Sequence, residues 1–564
     1  MAVNPSIPDP QRPVARRWPG LAPRLLLALL PVALLCVGEW IARTVQPKAS
    51  DDPHLNLWRP RSIFSKVDVN GQEWYQVTHP DAYRSSRVRF PVVKPPGTFR
   101  MFCVGESASA GWPHPPGESW SNHLETSLRT AFPARPIEVL NVGAHAYASY
   151  RIRLIFDDII EFEPDLIALW VGNNEFLERR SYGAITGRDS ALAEFARSSR
   201  LVLLLNGLIS RWLDPEATLS GAARESSEFE QWTKIRRMAL DLRADPVQFD
   251  RVKDHYSWTL RSMVEEAERR GIPVFLFTVP VNLRDWRPIV SHHSLSDDAL
   301  ARFVDSFDAA RAKMLRGDAV GAIVDLDAAV ALDPGHAETW YVRGRAYEAL
   351  GREDEARAEY GRARDLDFNP FRALGEMNEG LRLLAQRHRN TTLLDLEREF
   401  DLASPRGSPG FELFLDYVHP SREGNLLVAA TVFDAIVAAN LLGPRPSTSP
   451  LANPAPTAGD GAVYEDARDA VMQGQLLRLC CMMHQYESAI EKAKLVIALD
   501  ESGLPPQARD ARLARAVVTT FPDWLDVERR RLLGEEMRKD ERRDAQASMD
   551  DLYQAHFANW ELAR

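Results

Sequence analysis

The chain has 564 residues, 45% hydrophobic and 26% charged, ordinary globular usage that excludes a wholly disordered protein. A formal charge of −10 sets aside a generic nucleic-acid binder. Four cysteines, Cys36, Cys103 and the adjacent pair Cys480 and Cys481, exclude a disulfide scaffold and have no zinc-site spacing, so no metal and no cofactor is expected. Residues 1–24 are polar and Pro-rich, with Arg12, Arg16, Arg17 and Arg24. Leu25 to Gly38 then runs without a charge, and Trp40 to Ala42 extend it past Glu39. A span needs about 20 mostly apolar residues, so the run is short. With no good small-x-small cleavage site after it, it reads as a transmembrane signal anchor at 25–45, ahead of a cleaved secretory signal or a buried helix. Basic residues before the run place 1–24 as a cytoplasmic tail. The expected location is single-pass in the inner membrane, with segment 46–97 and all that follows extracytoplasmic, or periplasmic.

From residue 98 short apolar runs alternate with helical periodicity, the pattern of a parallel α/β sheet. Strands are expected at Phe99–Val104, Ile137–Val142, Asp165–Val171, Ile272–Val279 and Thr391–Leu396. Helices are expected at Ser119–Ala131, Tyr150–Phe162 and Glu423–Asn440. Asp165–Val171 is apolar nearly throughout, as suits a strand covered on both faces. Between the last two strands the period changes to 34 residues: Ala322 recurs as Ala356, Ala329 as Ala363, and Leu332-Asp333 as Leu366-Asp367. Trp340, Gly344, Tyr347, Ala356, Tyr360 and Ala363 follow the spacing of a tetratricopeptide repeat, so helical hairpins inserted at 301–370 are expected, with a partial third copy at Tyr486–Asp500. Two copies are fewer than usually stand alone, which makes the unit lean on its host and suggests a protein partner. A Pro-rich linker at 443–462 leads to a charged helical region, 463–564, in which Glu528–Arg543 reads as a solvated face.

Four segments fall at the ends of these elements: Gly105-Glu106-Ser107, Asn141-Val142-Gly143-Ala144-His145-Ala146, Gly172-Asn173-Asn174-Glu175 and Asp416-Tyr417-Val418-His419. In open α/β folds ligands bind outside the carboxyl ends of the strands. Taken singly, Ser107 suits a helix cap and Asn174 a turn. Together and in this order, the segments resemble the four blocks of the SGNH (GDSL-type) hydrolase family over about residues 98–300 and 371–442.

That resemblance implies a flavodoxin-like three-layer α/β fold with a parallel sheet. It also implies Ser107 as nucleophile, His419 as general base and Asp416 as the carboxylate that orients it. The oxyanion hole would take the Ser107 and Ala146 N–H groups and the Asn174 amide, with Gly143 as a fallback donor. A Ser hydroxyl needs an imidazole to take its proton, and the imidazole a carboxylate to fix its tautomer. The chain departs from the family pattern at Glu106 and Glu175, where Asp is usual, and at Ala146, where Gly is common. His145 reads as pocket lining, and Glu178, Arg179 and Arg180 read as solvated, ahead of the alternative that they meet an anionic acyl acceptor.

The implied activity is that of a membrane-anchored esterase or O-acyltransferase. It would act through an acyl-Ser intermediate on a short acyl group of an envelope glycan or lipid. The contrasting expectation is a non-catalytic repeat protein serving an envelope or polysaccharide-export assembly.

Overall fold

The computed structural model describes residues 30, 33–42, 44, 63–77, 88–115, 117–177, 199, 201, 205, 228–444 and 467–557, save 505 and 539. The chain divides into two compact units, Met1–Pro60 with Gly183–Ser220, and Arg61–Tyr182 with Gly221–Arg564.

In the smaller unit, residues 33–42 are helical, and the Glu39 carboxylate accepts hydrogen bonds from Ser199 Oγ (2.8 Å) and Leu201 N (2.9 Å). Among the described residues no helix is long and apolar enough to cross a membrane. The expected transmembrane anchor at 25–45 is corrected accordingly, and with it the single-pass, inner-membrane location. The uncharged run falls short of a span, and the helix carries a carboxylate that is costly in hydrocarbon. The expected tail at 1–24, Glu178–Arg180 and most of the linker lie outside the described residues.

The larger unit opens with an antiparallel meander, β1 (Phe64–Val69), β2 (Gln72–Val77) and β3 (Arg89–Pro91). Val69 pairs with Gln72, leaving Asn70-Gly71 as a two-residue turn with both φ positive (57° and 82°), the geometry that Asn-Gly supplies at least strain. Phe64, Tyr75 and Phe90 close around Phe162 and tie the meander to the main core.

The main sheet is parallel, in the order β5-β4-β6-β7-β8, with β4 at Phe99–Gly105, β5 at Ile137–Asn141, β6 at Leu166–Trp170, β7 at Val274–Phe277 and β8 at Thr391–Leu394. Helices Trp120–Ala131 and Arg422–Ala438, which pack together, cover one face. Ser149–Ile159, Pro246–Arg269 and Gly375–Arg387 cover the other. Every residue of β4, β6 and β7 is buried, as two covered faces require. The strand order reverses direction at β4, and at such a reversal open α/β sheets place their ligands, outside the carboxyl ends of the strands, here β4 and β6.

Between β7 and β8 stand the helices Asp297–Leu315, Ala319–Leu332, Ala337–Ala349 and Glu353–Leu366. The first hairpin has its own small core of Ala310, Ala319, Ala322 and Leu326, closed by Ala346. In the second, Ala356 and Tyr360 belong to the core of the sheet. After the linker, Ala467–Met482 and Tyr486–Glu501 form a hairpin, followed by Ala508–Leu533 and Glu541–His556. Within Glu528–Arg543, read as a solvated face, Arg531 reaches across to Asp308 of the first repeat helix at 2.7 Å.

Candidate active site

β4 ends at Gly105, and the chain turns at once into a short helix, Ser107–Ala110. The turn is possible because Gly105 has no side chain: a Cβ there would sit 2.2 Å from the Trp170 carbonyl oxygen. Ser107 is the first residue of this helix rather than its cap, which is Glu106. Its Oγ lies 2.8 Å from His419 Nε2.

His419 and Asp416 share a tight turn before helix Arg422–Ala438, closed by Leu415 N donating to the His419 carbonyl (2.8 Å). Asp416 is fully buried; its Oδ1 accepts from Val418 N (2.9 Å) and His419 N (2.8 Å), and its Oδ2 lies 2.6 Å from His419 Nδ1. These partners fix the tautomer: Nδ1–H donates to the carboxylate, leaving Nε2 to accept from the Ser107 hydroxyl. The Trp112 ring stands edge-on 4.4 Å from the imidazole, and His114, whose Nε2–H donates to the Pro420 carbonyl (2.8 Å), holds the next peptide. Burial pushes the His114 imidazole below its ordinary range, which keeps it neutral beside His419.

The loop after β6 is held by Glu106. Its buried carboxyl group accepts from Gly172 N (2.9 Å), Asn173 N (2.8 Å) and Asn174 N (3.3 Å). Burial, then the charge of Glu175, pushes the Glu106 carboxyl up to about 8 against the pull of these three N–H groups. Glu175 in turn accepts from Ser149 N (2.7 Å) and Ser149 Oγ (2.9 Å) at the start of helix Ser149–Ile159. The longer side chains at 106 and 175 thus serve as reaches between loops, a role their spacing did not reveal. Asn174 Nδ2 donates one hydrogen to the Tyr147 carbonyl (3.3 Å), which orients the amide and leaves its second hydrogen available.

The second segment divides. Gly143 N donates to Asn141 Oδ1 (3.0 Å), and a Cβ on Gly143 would sit 2.6 Å from Ala110 N, so this glycine serves close packing. Ala146 is exposed with φ 56°, in the left-handed region, and its N–H has no protein acceptor among the described residues. His145 lies with its ring centroid 6.5 Å from Trp112. Sequence reasoning missed His114 and the fully buried Asn282, whose Nδ2 donates to the Asp416 carbonyl (3.0 Å). Neither carries a local signal. Among the described residues no group of His, Cys, Asp and Glu could hold a metal ion.

A family model for the tetratricopeptide repeat matches residues 313–375. No curated protein matches the sequence. Among solved structures, an acetylxylan esterase from Geobacillus stearothermophilus aligns at 13% identity and TM-score 0.27, covering 60% of this chain and 94% of its own. Another acetyl xylan esterase aligns at 12% and TM-score 0.28, covering 60% of this chain and all of its own. An α/β hydrolase from the metagenome of Lake Arreo, Spain, aligns at 12% and 0.28, covering 61% and 96%.

Proposed function

We propose that the chain is a serine esterase or O-acyltransferase of the SGNH kind, acting through an acyl-Ser intermediate on a short acyl ester of a glycan or lipid. One observation carries the reading: the unbroken line from Asp416 Oδ2 through His419 Nδ1 (2.6 Å) and from His419 Nε2 to Ser107 Oγ (2.8 Å). In this mechanism Ser107 Oγ attacks the ester carbonyl carbon while His419 Nε2 takes its proton, and Asp416 stabilises the imidazolium. The oxygen that becomes negative meets the Ser107 and Ala146 N–H groups and the second hydrogen of Asn174 Nδ2, each such donor worth about 3–4 kcal/mol where measured in other enzymes. His419 then protonates the leaving alcohol. Water or an acceptor hydroxyl, deprotonated by the same nitrogen, attacks the acyl-Ser carbonyl; the bond to Ser107 Oγ breaks as His419 Nε2 returns the proton to it, giving acid or a new ester. The repeat segment adds a protein partner to the proposal, since repeats of this kind generally serve protein contacts.

The test is a fluorophosphonate probe and a panel of p-nitrophenyl acyl esters, run on wild type and on Ser107→Ala. Labelling at Ser107 alone, with turnover lost in the variant, is expected. A folded wild-type chain that is neither labelled nor active refutes the reading and favours a non-catalytic repeat protein.

A further inference from the structure

The segment after β7 connects two things that are distant in sequence. At its start, Asn282 grips the turn that bears Asp416 and His419: Nδ2 donates to the Asp416 carbonyl (3.0 Å) and the backbone N–H to the Tyr417 carbonyl (3.0 Å). Its Oδ1 accepts from Asp285 N (3.0 Å), so the side chain is bonded at both ends. Arg372 Nη1 donates to the carbonyls of Asn282 (2.8 Å) and Trp286 (3.1 Å), and the Trp286 ring packs 5.3 Å from Tyr417.

Further along, the same segment is strapped to the repeats. Glu338, Tyr341, Arg345 and Glu348 lie three to four residues apart, on one face of helix Ala337–Ala349. Three of them turn to this segment. Tyr341 OH donates to the Arg284 carbonyl (2.8 Å), Glu338 pairs with Arg287 (2.5 Å) and Arg345 approaches Asp285 (3.9 Å). The fourth, Glu348, pairs with Arg406. Below them Asp367 accepts from Ile289 N (2.8 Å) and Val290 N (3.1 Å). The face is therefore occupied by this chain itself.

We propose that Asn282 is a positioning residue for acyl transfer and that the second repeat is its brace: the repeat fixes segment 284–291, the segment fixes Asn282, and Asn282 fixes the turn carrying the acid and the base. This rests on the function proposed above. The mechanism asks His419 Nε2 to stay within hydrogen-bond reach of Ser107 Oγ, and small misplacements of reacting groups are costly in rate. Asn282 is fully buried and its side chain is spent on the chain itself, so its loss should read out in kcat rather than KM.

The experiment measures kcat and KM on p-nitrophenyl acetate for wild type, Asn282→Ala and Tyr341→Phe, with kcat normalised to Ser107 sites titrated by the fluorophosphonate and thermal melts run in parallel. Tyr341→Phe keeps the ring and removes only the hydroxyl, so it decides the matter should Asn282→Ala not fold. The expected result is a kcat per titrated site about 10–100-fold lower in Asn282→Ala and about fivefold lower in Tyr341→Phe, with KM within about twofold. A labelled, active wild type with full kcat per site in the folded variants overturns this inference alone, as does an effect confined to KM. A wild type unlabelled at Ser107 overturns the acyl-transfer reading and this inference with it.

Discussion

Replacing Asp416 by Asn tests the site where its geometry is tightest. The side chain makes three hydrogen bonds: Oδ1 with two backbone N–H groups of its own turn, Oδ2 with His419 Nδ1 at 2.6 Å. Asn has a single acceptor oxygen. Two N–H donors, from Val418 and His419, compete for it at one end, so the oxygen stays there and the NH2 turns to face Nδ1. His419 must then present a lone pair at Nδ1 and carry its proton on Nε2, 2.8 Å from Ser107 Oγ. A protonated Nε2 cannot take the serine proton, so the base is lost while every atom stays nearly in place. The expected loss in kcat is about 10⁴-fold, or roughly 5.5 kcal/mol of transition-state stabilisation. The stability cost is far smaller, about 1–3 kcal/mol for one charge-assisted hydrogen bond exchanged for a weaker one. KM changes little, because Asp416 is fully buried and meets no substrate. Turnover of p-nitrophenyl acetate and a urea melt measure both. A variant that keeps more than a tenth of the wild-type kcat refutes the assignment of Asp416 as orienting acid and with it the tautomer argument.

Other substitutions probe the rest of the pocket. Ser107→Ala removes one hydroxyl and little packing, so ester turnover should vanish with stability within about 1 kcal/mol of wild type, as a thermal melt alongside the assay would establish. The Glu106 carboxyl, pushed up to about 8 by burial and Glu175, holds a proton that the unfolded chain releases near 4.5. Its contribution is whole below 4.5 and is lost as pH climbs through 8, by up to about 1.4 kcal/mol per pH unit, so urea midpoints from pH 5 to 8 should fall more steeply in wild type than in Glu106→Gln; parallel curves would contradict this. Ala146→Gly relieves a left-handed Ala worth about 1 kcal/mol while keeping the N–H, so the melting temperature should rise with turnover retained; a lower melting temperature would tell against strain at this residue.

The parallel sheet was legible because its strands are buried on both faces and read as apolar runs: Asp165–Val171 and Ile272–Val279 each contain the observed strand, trimmed by a residue or two at its ends. The meander at 64–91 went unread, although Asn70-Gly71 is a hairpin signal, because its strands are half exposed and mix polar with aromatic residues. The membrane anchor failed on length and on Glu39. In the site, Ser107, Asp416 and His419 were legible as residues at element ends, and the structure brings their side chains into hydrogen-bond range. Ser107 N–H starts the short helix after β4 and Asn174 sits in the loop after β6, whereas Gly143 is spent on Asn141. What stayed hidden is non-local. Glu106 reaches 66 to 68 residues along the chain and His114 reaches 306, and no window of sequence contains both ends of such a bond.

The same non-locality bears on where the repeats end and the sheet domain begins. A period of 34 residues marks the repeat in sequence, but energetic separation depends on which core each helix enters. Gly344 lets the second hairpin close, since a Cβ there would come within 2.7 Å of the Tyr360 ring, and Tyr360 is then buried with the residues of the sheet. Asp367, at the end of that hairpin, holds the segment leaving β7 through two backbone N–H groups and faces Arg372 at 3.6 Å. The first hairpin instead fills its own small core and meets the C-terminal helices through Asp308 and Arg531. A cut that removed the whole repeat would therefore strip a buried aromatic and a buried carboxylate from the sheet domain, a cost of several kcal/mol by the usual measure of large buried side chains. Loop-closure entropy, which changes only slowly with length, could not offset it. The repeat is inserted in sequence and shared in the core, and its second helix pair contacts the segment leaving β7 through Tyr341, Glu338 and Asp367.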